Sequence, residues 1–360
     1  MQALRAFSFF SGAGGMDLGF QQAGFVIDLH NENSKACINT LTENHFSGNI
    51  LRFNIEDISF SSINQDMLKC TYRLSGTTGF YHFPIPDVVF GGPPCQSFSV
   101  AGQQNPEDVR SSLVAQYLRV IREIRPKAFV LENVPTLLMS HKPYIKCVRE
   151  QILCMQDVGY TVTAYLLNAK HYGTPQSRER AFFFGVQNDI ITESLINNFQ
   201  SESPTSGEVL LAIGKNGRGE IPNVKITFVK KPILRPSPYA GMLFNGRGRP
   251  INLGSSSWTI PASGGNGIPI VDDEAIYDGK EPWVLGYHKH LMSGGEPYLE
   301  APKRLRRLTL VEAAALQGFP SDFKFCGTAS DKYRQIGNAV PPPMAKALAK
   351  TVMQVLMKGK

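Results

Sequence analysis

The first half of the chain alternates short apolar runs with amphipathic stretches, the pattern of βαβ units around a parallel sheet covered on both faces. Leu4 to Phe10 reads as the first strand and Phe25 to Leu29 as the second. Asp87 to Phe90 and Ala128 to Leu131 read as later buried strands, and Tyr160 to Leu167 and Phe182 to Val186 close this half. Between them Leu113, Val114, Tyr117, Leu118, Ile121 and Ile124 recur at helical spacing. Arg125-Pro126 stops that helix, because proline disfavours helical backbone in the residue before it. After Val186 the helical period disappears. Residues up to about 300 are rich in Gly, Pro, Ser and Asn with only short apolar runs, the texture of a small, irregular, mostly β unit. Helical signals return at Thr309-x-x-Glu312, a capping box ahead of Ala313 to Gln317, with Gly318-Phe319-Pro320 as its stop. A last helix from about Pro342 to Met357 carries Met344, Leu348, Val352, Val355 and Leu356 on one stripe. The expected class is α/β, with a doubly wound, mostly parallel sheet over 1–188. A smaller domain over 189–300 and a C-terminal segment, 301–360, packing back on the first half complete the reading.

At 360 residues the chain is long enough for such a division, and its composition does not suggest disorder. No apolar run approaches the roughly 20 residues that span a bilayer, and MQALRAFSFF lacks the features of a signal peptide, so a cytoplasmic, nucleoid-associated monomer is expected. Six cysteines form no C-x-x-C pair and no cluster with zinc spacing, which points to neither a disulfide framework nor a metal site. Five of them read as small buried hydrophobes, Cys95 being the exception. The net charge of +7 favours a polyanionic partner only modestly. Its placement says more: Lys215, Arg218, Lys225, Lys230, Lys231, Arg235, Arg247 and Arg249 share one Gly/Pro-rich region, and Lys303, Arg304, Arg306 and Arg307 form a dense run. The bland reading of each is a solvated basic face.

Phe10-Ser11-Gly12-Ala13-Gly14-Gly15 follows the first strand and precedes a helix, placing glycines where backbone must approach a ligand closely. Asp17 stands where a dinucleotide fingerprint would have its third glycine, which counts against a nicotinamide dehydrogenase. Glu32, about twenty residues on, is placed to accept both hydroxyls of a ribose. Asp57-Ile58 would hold an adenine, the carboxylate taking the exocyclic amine and the isoleucine covering a ring face.

A second set of residues clusters at the carboxyl ends of later strands. Gly91-Gly92-Pro93-Pro94-Cys95-Gln96-Ser97-Phe98-Ser99 follows a buried strand, so two prolines stiffen the loop that presents the Cys95 sulfur. A cysteine at its ordinary pKa of about 8.5 is a poor nucleophile at neutral pH and needs supporting groups. Glu132-Asn133-Val134 ends the next strand with a carboxyl group that would hydrogen-bond a heterocycle nitrogen if kept protonated. Gln176-Ser177-Arg178-Glu179-Arg180 offers two guanidinium forks on alternate residues, hence on one face if extended.

In order along the chain, FSGAGGMDLGF, Glu32, Asp57-Ile58, GGPPCQSFS, ENV, QSRER, RRLTLVEAAALQGFP and QIGNAVP resemble the blocks of a DNA cytosine-5 methyltransferase of the bacterial or phage restriction-modification type, over almost the whole length. The resemblance implies the S-adenosylmethionine-dependent methyltransferase fold, with 189–300 as a target-recognition domain. It places Phe10, Gly12, Gly14, Glu32, Asp57, Ile58, Pro94, Leu113 and Asn338 around S-adenosylmethionine, and Cys95, Glu132, Arg178 and Arg180 around a cytosine flipped out of duplex DNA. Asp108-x-Arg110-Ser111-x-Leu113 matches the family's loop that closes over DNA, and Thr259-Ile260 its Thr-hydrophobic recognition signature. Ser99, Arg110, Arg247, Arg249, Thr259, Arg304 and Arg306 are the expected DNA contacts. Two departures stand out. The stretch between Asp57 and Asp87 is long, and Asn33 follows Glu32 where an aromatic is common. Two alternatives stay open on the residues alone: a tRNA cytosine-5 methyltransferase, and a catalytically retired DNA-binding protein.

Overall fold

The computed structural model describes residues 3–62, 69–74, 81–94, 112–246 and 248–358. In chain order the elements begin β1 (Arg5–Phe9), α1 (Gly15–Ala23), β2 (Val26–Asn31), α2 (Lys35–Glu43) and β3 (Asn49–Leu51). Three strands, β4 (Ile58–Ser62), β5 (Lys69–Leu74) and β6 (Tyr81–Pro84), pair antiparallel as a separate small sheet in the long stretch before Asp87. Then come β7 (Val88–Gly91), α3 (Ser112–Ile124), β8 (Ala128–Asn133), α4 (Pro135–Met139), α5 (Pro143–Leu153), β9 (Tyr160–Asn168), β10 (Gln176–Ser177) and β11 (Glu179–Gln187). The remainder is α6 (Glu193–Asn197), α7 (Ser206–Gly217), β12 (Phe228–Ile233), β13 (Met242–Phe244), β14 (Ser257–Trp258), β15 (Ile270–Asp272), α8 (Asp273–Tyr277), α9 (Trp283–Met292), β16 (Leu305–Arg307), α10 (Leu310–Gln317), α11 (Ala329–Asn338) and α12 (Pro342–Lys358).

Two compact units result. The first comprises 1–168, 179–200 and 342–360, the second 169–178 and 201–341. Of the segment 301–360, only the part from Pro342 onward therefore belongs to the first unit.

The first unit is built on a seven-stranded sheet in the order β3-β2-β1-β7-β8-β11-β9. β1 pairs parallel with β2 and β7, and β8 parallel with β7, whereas β11 runs antiparallel to both of its neighbours. The chain starts at the centre, builds outward to β3, then returns to the other side of β1. The order reverses between β1 and β7, and the carboxyl ends of strands at such a switch point leave a crevice. On one sheet face Phe7, Phe9, Val89, Phe129, Leu131 and Phe183 pack with Tyr117, Leu118 and Ile121 of α3. Elsewhere Phe20 of α1 stacks on Phe90 with ring centroids 4.0 Å apart. The helix α3 ends at Ile124, and Arg125, with φ 54°, is outside the helical region just before Pro126.

Gly19 lets α1 approach α12 closely: a Cβ there would sit 2.4 Å from the Ala345 Cβ and 2.6 Å from the Lys346 nitrogen. Backbone cannot swing aside as a side chain can, so Gly19→Val is expected to lower stability by about 1–3 kcal/mol. Urea unfolding of the variant checks this, and an unchanged midpoint would mean the two helices separate at little cost.

Two expectations are corrected. Helical structure does occur between 189 and 300, where no helical period was legible. The helix α7 opens with a Thr205/Glu208 capping box but carries Gly214 at non-helical φ 72°, which breaks its period, and α9 buries Val284, Tyr287, His288 and Leu291 with a polar residue in its apolar stripe. Four of the cysteines are also less buried than expected. Cys37 and Cys326 are half-buried, and Cys147 and Cys154 are exposed, since α5 turns Ile145 and Ile152 inward instead. No helix among the described residues is long and apolar enough to cross a membrane, and no group of three or more His, Cys, Asp or Glu among them is placed to hold a metal.

Candidate active site

The loop after β1 has the backbone of a ligand cradle. Phe10, Gly12 and Gly14 all have positive φ, 55°, 56° and 82°, and for phenylalanine that conformation is strained and tends to mark functional sites. The two glycines differ in what surrounds them. A Cβ on Gly14 would strike Phe46 at 2.6 Å and Leu41 at 2.8 Å, whereas one on Gly12 would meet nothing within 4 Å. Gly14 is therefore needed for packing, and Gly12 borders open space.

Glu32, just past β2, closes the other side of this cradle. Its Oε2 accepts the Gly12 N–H at 2.8 Å, and its Oε1 accepts those of Asn33 at 3.0 Å and Ser34 at 2.8 Å. Burial pushes its pKa up, against these three donors, which pull it down. A carboxylate has about four acceptor positions, so roughly one remains for a ligand hydroxyl rather than the two expected. Asp57 sits in the turn before β4, and Arg119 braces that turn by donating to the carbonyls of Ile55 at 2.8 Å and Ile58 at 3.0 Å. Sequence reading had not singled out this arginine. Ile58 corrects an expectation: its side chain is buried in the sheet core, only 1% exposed, because it faces inward at the start of β4. Leu113 packs half-buried against the same core.

At the ends of β7 and β8 the register sets Gly91 beside Leu131, so Gly92, just past β7, comes next to Glu132 of β8. A Cβ on Gly92 would come within 2.8 Å of the Glu132 Oε2, so the glycine makes room for that carboxylate. Asn133 donates from Nδ2 to the Pro93 carbonyl at 3.2 Å, tying down the loop that leads through half-buried Pro94 to Cys95. On the other flank β11 pairs Phe182 with Glu132, which puts Arg180, two residues earlier on the same face, next to the carboxylate. Arg180 Nε lies 3.0 Å from Glu132 Oε1, with 15% and 11% of the two side chains exposed. Burial lowers the arginine's pKa, and Glu132 opposes that shift. Cys95, Ser99, Arg110 and Arg247 lie outside the described residues.

The second unit holds Arg178, Thr259, Arg249 and Asn338. Arg178 is buried, and its carbonyl accepts the Ala169 N–H at 2.9 Å. Its neighbour Gln176 is the organiser that sequence reading missed. The Gln176 amide donates to Gln317 Oε1 at 2.6 Å and accepts from the Ile260 N–H at 3.1 Å, while Gln317 donates to the Ala339 carbonyl at 2.6 Å. One buried amide chain thus joins the QSRER, Thr259-Ile260, QGFP and NAV segments. Thr259 is exposed and donates to the Ser177 carbonyl at 3.0 Å, Asn338 is exposed at the end of α11, and exposed Arg249 lies over the ring of Trp258.

The basic run before α10 is corrected. Arg304 Nε lies 2.7 Å from Asp272 and its Nη1 3.2 Å from Glu274; Arg306, 6% exposed, grips Asp273 and both oxygens of fully buried Glu312 at 2.7 Å each. Arg307 is buried too, donates to the Ile268 carbonyl at 2.7 Å, and has its pKa pushed down to about 10 by burial. These guanidinium groups are matched or enclosed within their own unit and are not offered to phosphates. Lys225, Lys230, Lys231, Arg235 and Lys303 are exposed.

The family model for C-5 cytosine-specific DNA methylases matches residues 4–354. The chain belongs to that family. This DNA cytosine-5 methyltransferase is 32% identical to the Type II methyltransferase M.MthTI of Methanothermobacter thermautotrophicus, over 97% of both chains. It is 30% identical to the Type II methyltransferase M.FnuDI of Fusobacterium nucleatum, over 98% of this chain and 95% of that one. Among solved structures, a prophage-encoded E. coli protein described as a DNA modification methyltransferase superposes with a TM-score of 0.66 at 21% identity, covering 99% of this chain and all of that one. The S. pombe Dnmt2 methyltransferase superposes at 0.63 and 16% identity, covering 98% and 99%, and these two likenesses speak for the α/β fold. The family's description and the Type II methyltransferases among its relatives favour the DNA reading over the tRNA reading left open by the residues.

Proposed function

We propose that this methyltransferase takes its methyl group from S-adenosylmethionine and places it on carbon 5 of a cytosine rotated out of a specific duplex site, with Cys95 adding covalently to carbon 6. The observation that carries the reading is the Glu132–Arg180 pair at the sheet edge, beside Gly92 and the anchored loop that leads to Cys95. The open space at Gly12, with Glu32 opposite, suits an adenosine-bearing cofactor held by Phe10, Gly12, Gly14, Glu32, Asp57, Pro94, Leu113 and Asn338. That cofactor supplies an electrophilic methyl group.

Carbon 5 of cytosine is a weak nucleophile, and the chain's own groups have to activate it. The Cys95 thiolate forms a bond to carbon 6, and the displaced electron pair makes carbon 5 enamine-like. Glu132, in its protonated form, donates from one oxygen to ring nitrogen 3 and offsets the charge that develops there, with Arg180 Nε holding the other oxygen in position. Arg178 or Arg180 binds the base carbonyl and fixes the ring against the thiolate. After methyl transfer the carbon-5 proton leaves to a base, the bond to Cys95 breaks, and the aromatic ring is restored. Such chemistry needs the base outside the stack, at a cost of a few kcal/mol. Ser99, Arg110, Arg247, Arg249 and Thr259 contact the DNA in this reading, with the exposed lysines of the second unit adding affinity that falls with salt. The Type II relatives favour a role beside a restriction enzyme.

A duplex carrying 5-fluorocytosine at the target is expected to trap the enzyme covalently, since fluorine cannot leave as a proton does. Intact mass should rise by the DNA strand plus one methyl group, and an active preparation that gives no adduct would overturn covalent addition.

A further inference from the structure

Behind the glycine loop lies a buried polar pair that the reaction does not use. Asp17, in the first turn of α1, and His30, two residues before Glu32 on β2, are both 0% exposed, with Asp17 Oδ1 2.6 Å from His30 Nδ1. The other ring nitrogen, Nε2, lies 2.7 Å from the Ser47 carbonyl. A carbonyl only accepts, so Nε2 must carry a proton. The Asp17 oxygen is also an acceptor unless protonated, so a further proton lies between Asp17 and His30 in either form. Asp17 Oδ2 has no hydrogen-bond partner among the described residues, which leaves His30 as the partner that neutralises it, aided by the positive end of α1.

The pair sits where it can act on the cradle. Phe46 meets the His30 ring edge-on, with centroids 5.7 Å apart, and the same Phe46 ring lies where a Cβ on Gly14 would be. Gly48 continues this turn at φ 102°, and a Cβ there would be 2.4 Å from the Ile27 carbonyl, so the turn lies directly on β2. His30 thus fastens α1 at one nitrogen and the Phe46–Gly48 turn at the other, and the Gly12–Gly14 loop is held between them.

We propose that His30 is a positioning residue for the cofactor: with the proton it shares with Asp17, it clamps α1 to the Phe46–Gly48 turn and thereby sets the glycine loop against Glu32. The proposal rests on the S-adenosylmethionine reading and adds to it a dependence on pH. Burial pulls the His30 pKa down, but the hydrogen bond and charge of Asp17 and the Ser47 carbonyl outweigh it, and the net direction is up. A raised value means that the clamp is complete below the ordinary 6.5 and is lost as pH rises through the folded value. The charged groups involved are Asp17 on α1 and, acting through Asp17, Glu32 beyond β2; the turn contributes a carbonyl and the Phe46 ring.

The full-length enzyme is titrated calorimetrically with S-adenosylmethionine from about pH 6, below the ordinary imidazole value, upward to about pH 9. Wild-type affinity is expected to hold through neutral pH and fall on the alkaline side. Asp17→Asn, whose amide can donate to a neutral ring, should keep neutral-pH affinity and remove the alkaline fall. His30→Phe, which keeps a ring but neither bond, should weaken binding by about tenfold or more at every pH. Nitrogen NMR of the wild-type ring should show both nitrogens protonated or sharing a proton at neutral pH. A plain neutral tautomer, or an Asp17→Asn profile that still falls as the wild type does, would overturn the proposal; if a variant does not fold, the wild-type ring spectrum decides. Wild-type enzyme that binds no S-adenosylmethionine at any pH would instead remove the cofactor reading, and this clamp with it.

Discussion

Cys95→Ala is expected to abolish methyl transfer, lowering kcat by more than about 10⁴-fold, while S-adenosylmethionine affinity stays nearly unchanged. The asymmetry follows from the separation of tasks. The glycine loop and Glu32 are tied to β1 and β2, whereas the loop to Cys95 leaves β7 and is anchored by Asn133 on β8. Removing the sulfur leaves the Glu132–Arg180 pair intact, so a flipped cytosine would still be gripped, yet its carbon 5 would remain too electron-poor to accept a methyl group. Single-turnover assays with labelled cofactor, paired with cofactor titration, separate chemistry from binding. Turnover at the wild-type rate would reassign the nucleophile, and a parallel loss of cofactor affinity would show that Cys95 shapes the cradle instead.

Arg306→Ala should produce the largest loss of stability, about 3–5 kcal/mol, because it leaves the fully buried Glu312 without its counter-charge. Glu312 also accepts the Thr309 N–H at 2.9 Å in the capping box that starts α10, so its carboxylate cannot turn away to solvent without undoing that cap. Urea denaturation measures the loss, and a change below about 1 kcal/mol, the usual worth of an exposed pair, would mean that water reaches the site. DNA affinity of the folded variant should keep its salt dependence, since this arginine neutralises no phosphate.

Arg306 also shows where reading the chain alone stops. The capping box Thr309-x-x-Glu312 is a local signal, its two halves three residues apart, and it was legible as such. That the same Glu312 is held by Arg306, and that Arg306 also meets Asp273, 33 residues away, depends on β15 pairing with β16 in a register that sets Val271 beside Arg306. Nothing in the spacing of charges along the chain announces that pairing, so a basic run that reads as a DNA-facing surface turns out to be matched by Asp272, Asp273 and Glu274. Arg180 is a parallel case. Its position two residues from Arg178 puts both on one face, and only the β8–β11 register shows that Arg180 lies beside Glu132.

The order of motif blocks, the strands that bear them and the loops where glycine or proline interrupts the pattern were settled by the amino-acid sequence, because each rests on a preference spanning a few neighbouring residues. Which side chains share a proton or a charge, such as His30 with Asp17, Arg180 with Glu132 and Arg306 with Glu312, was decided only by tertiary structure. Electrostatic and hydrogen-bond energies depend on separation and burial, and strand order, register and helix packing bring residues together that the chain keeps apart.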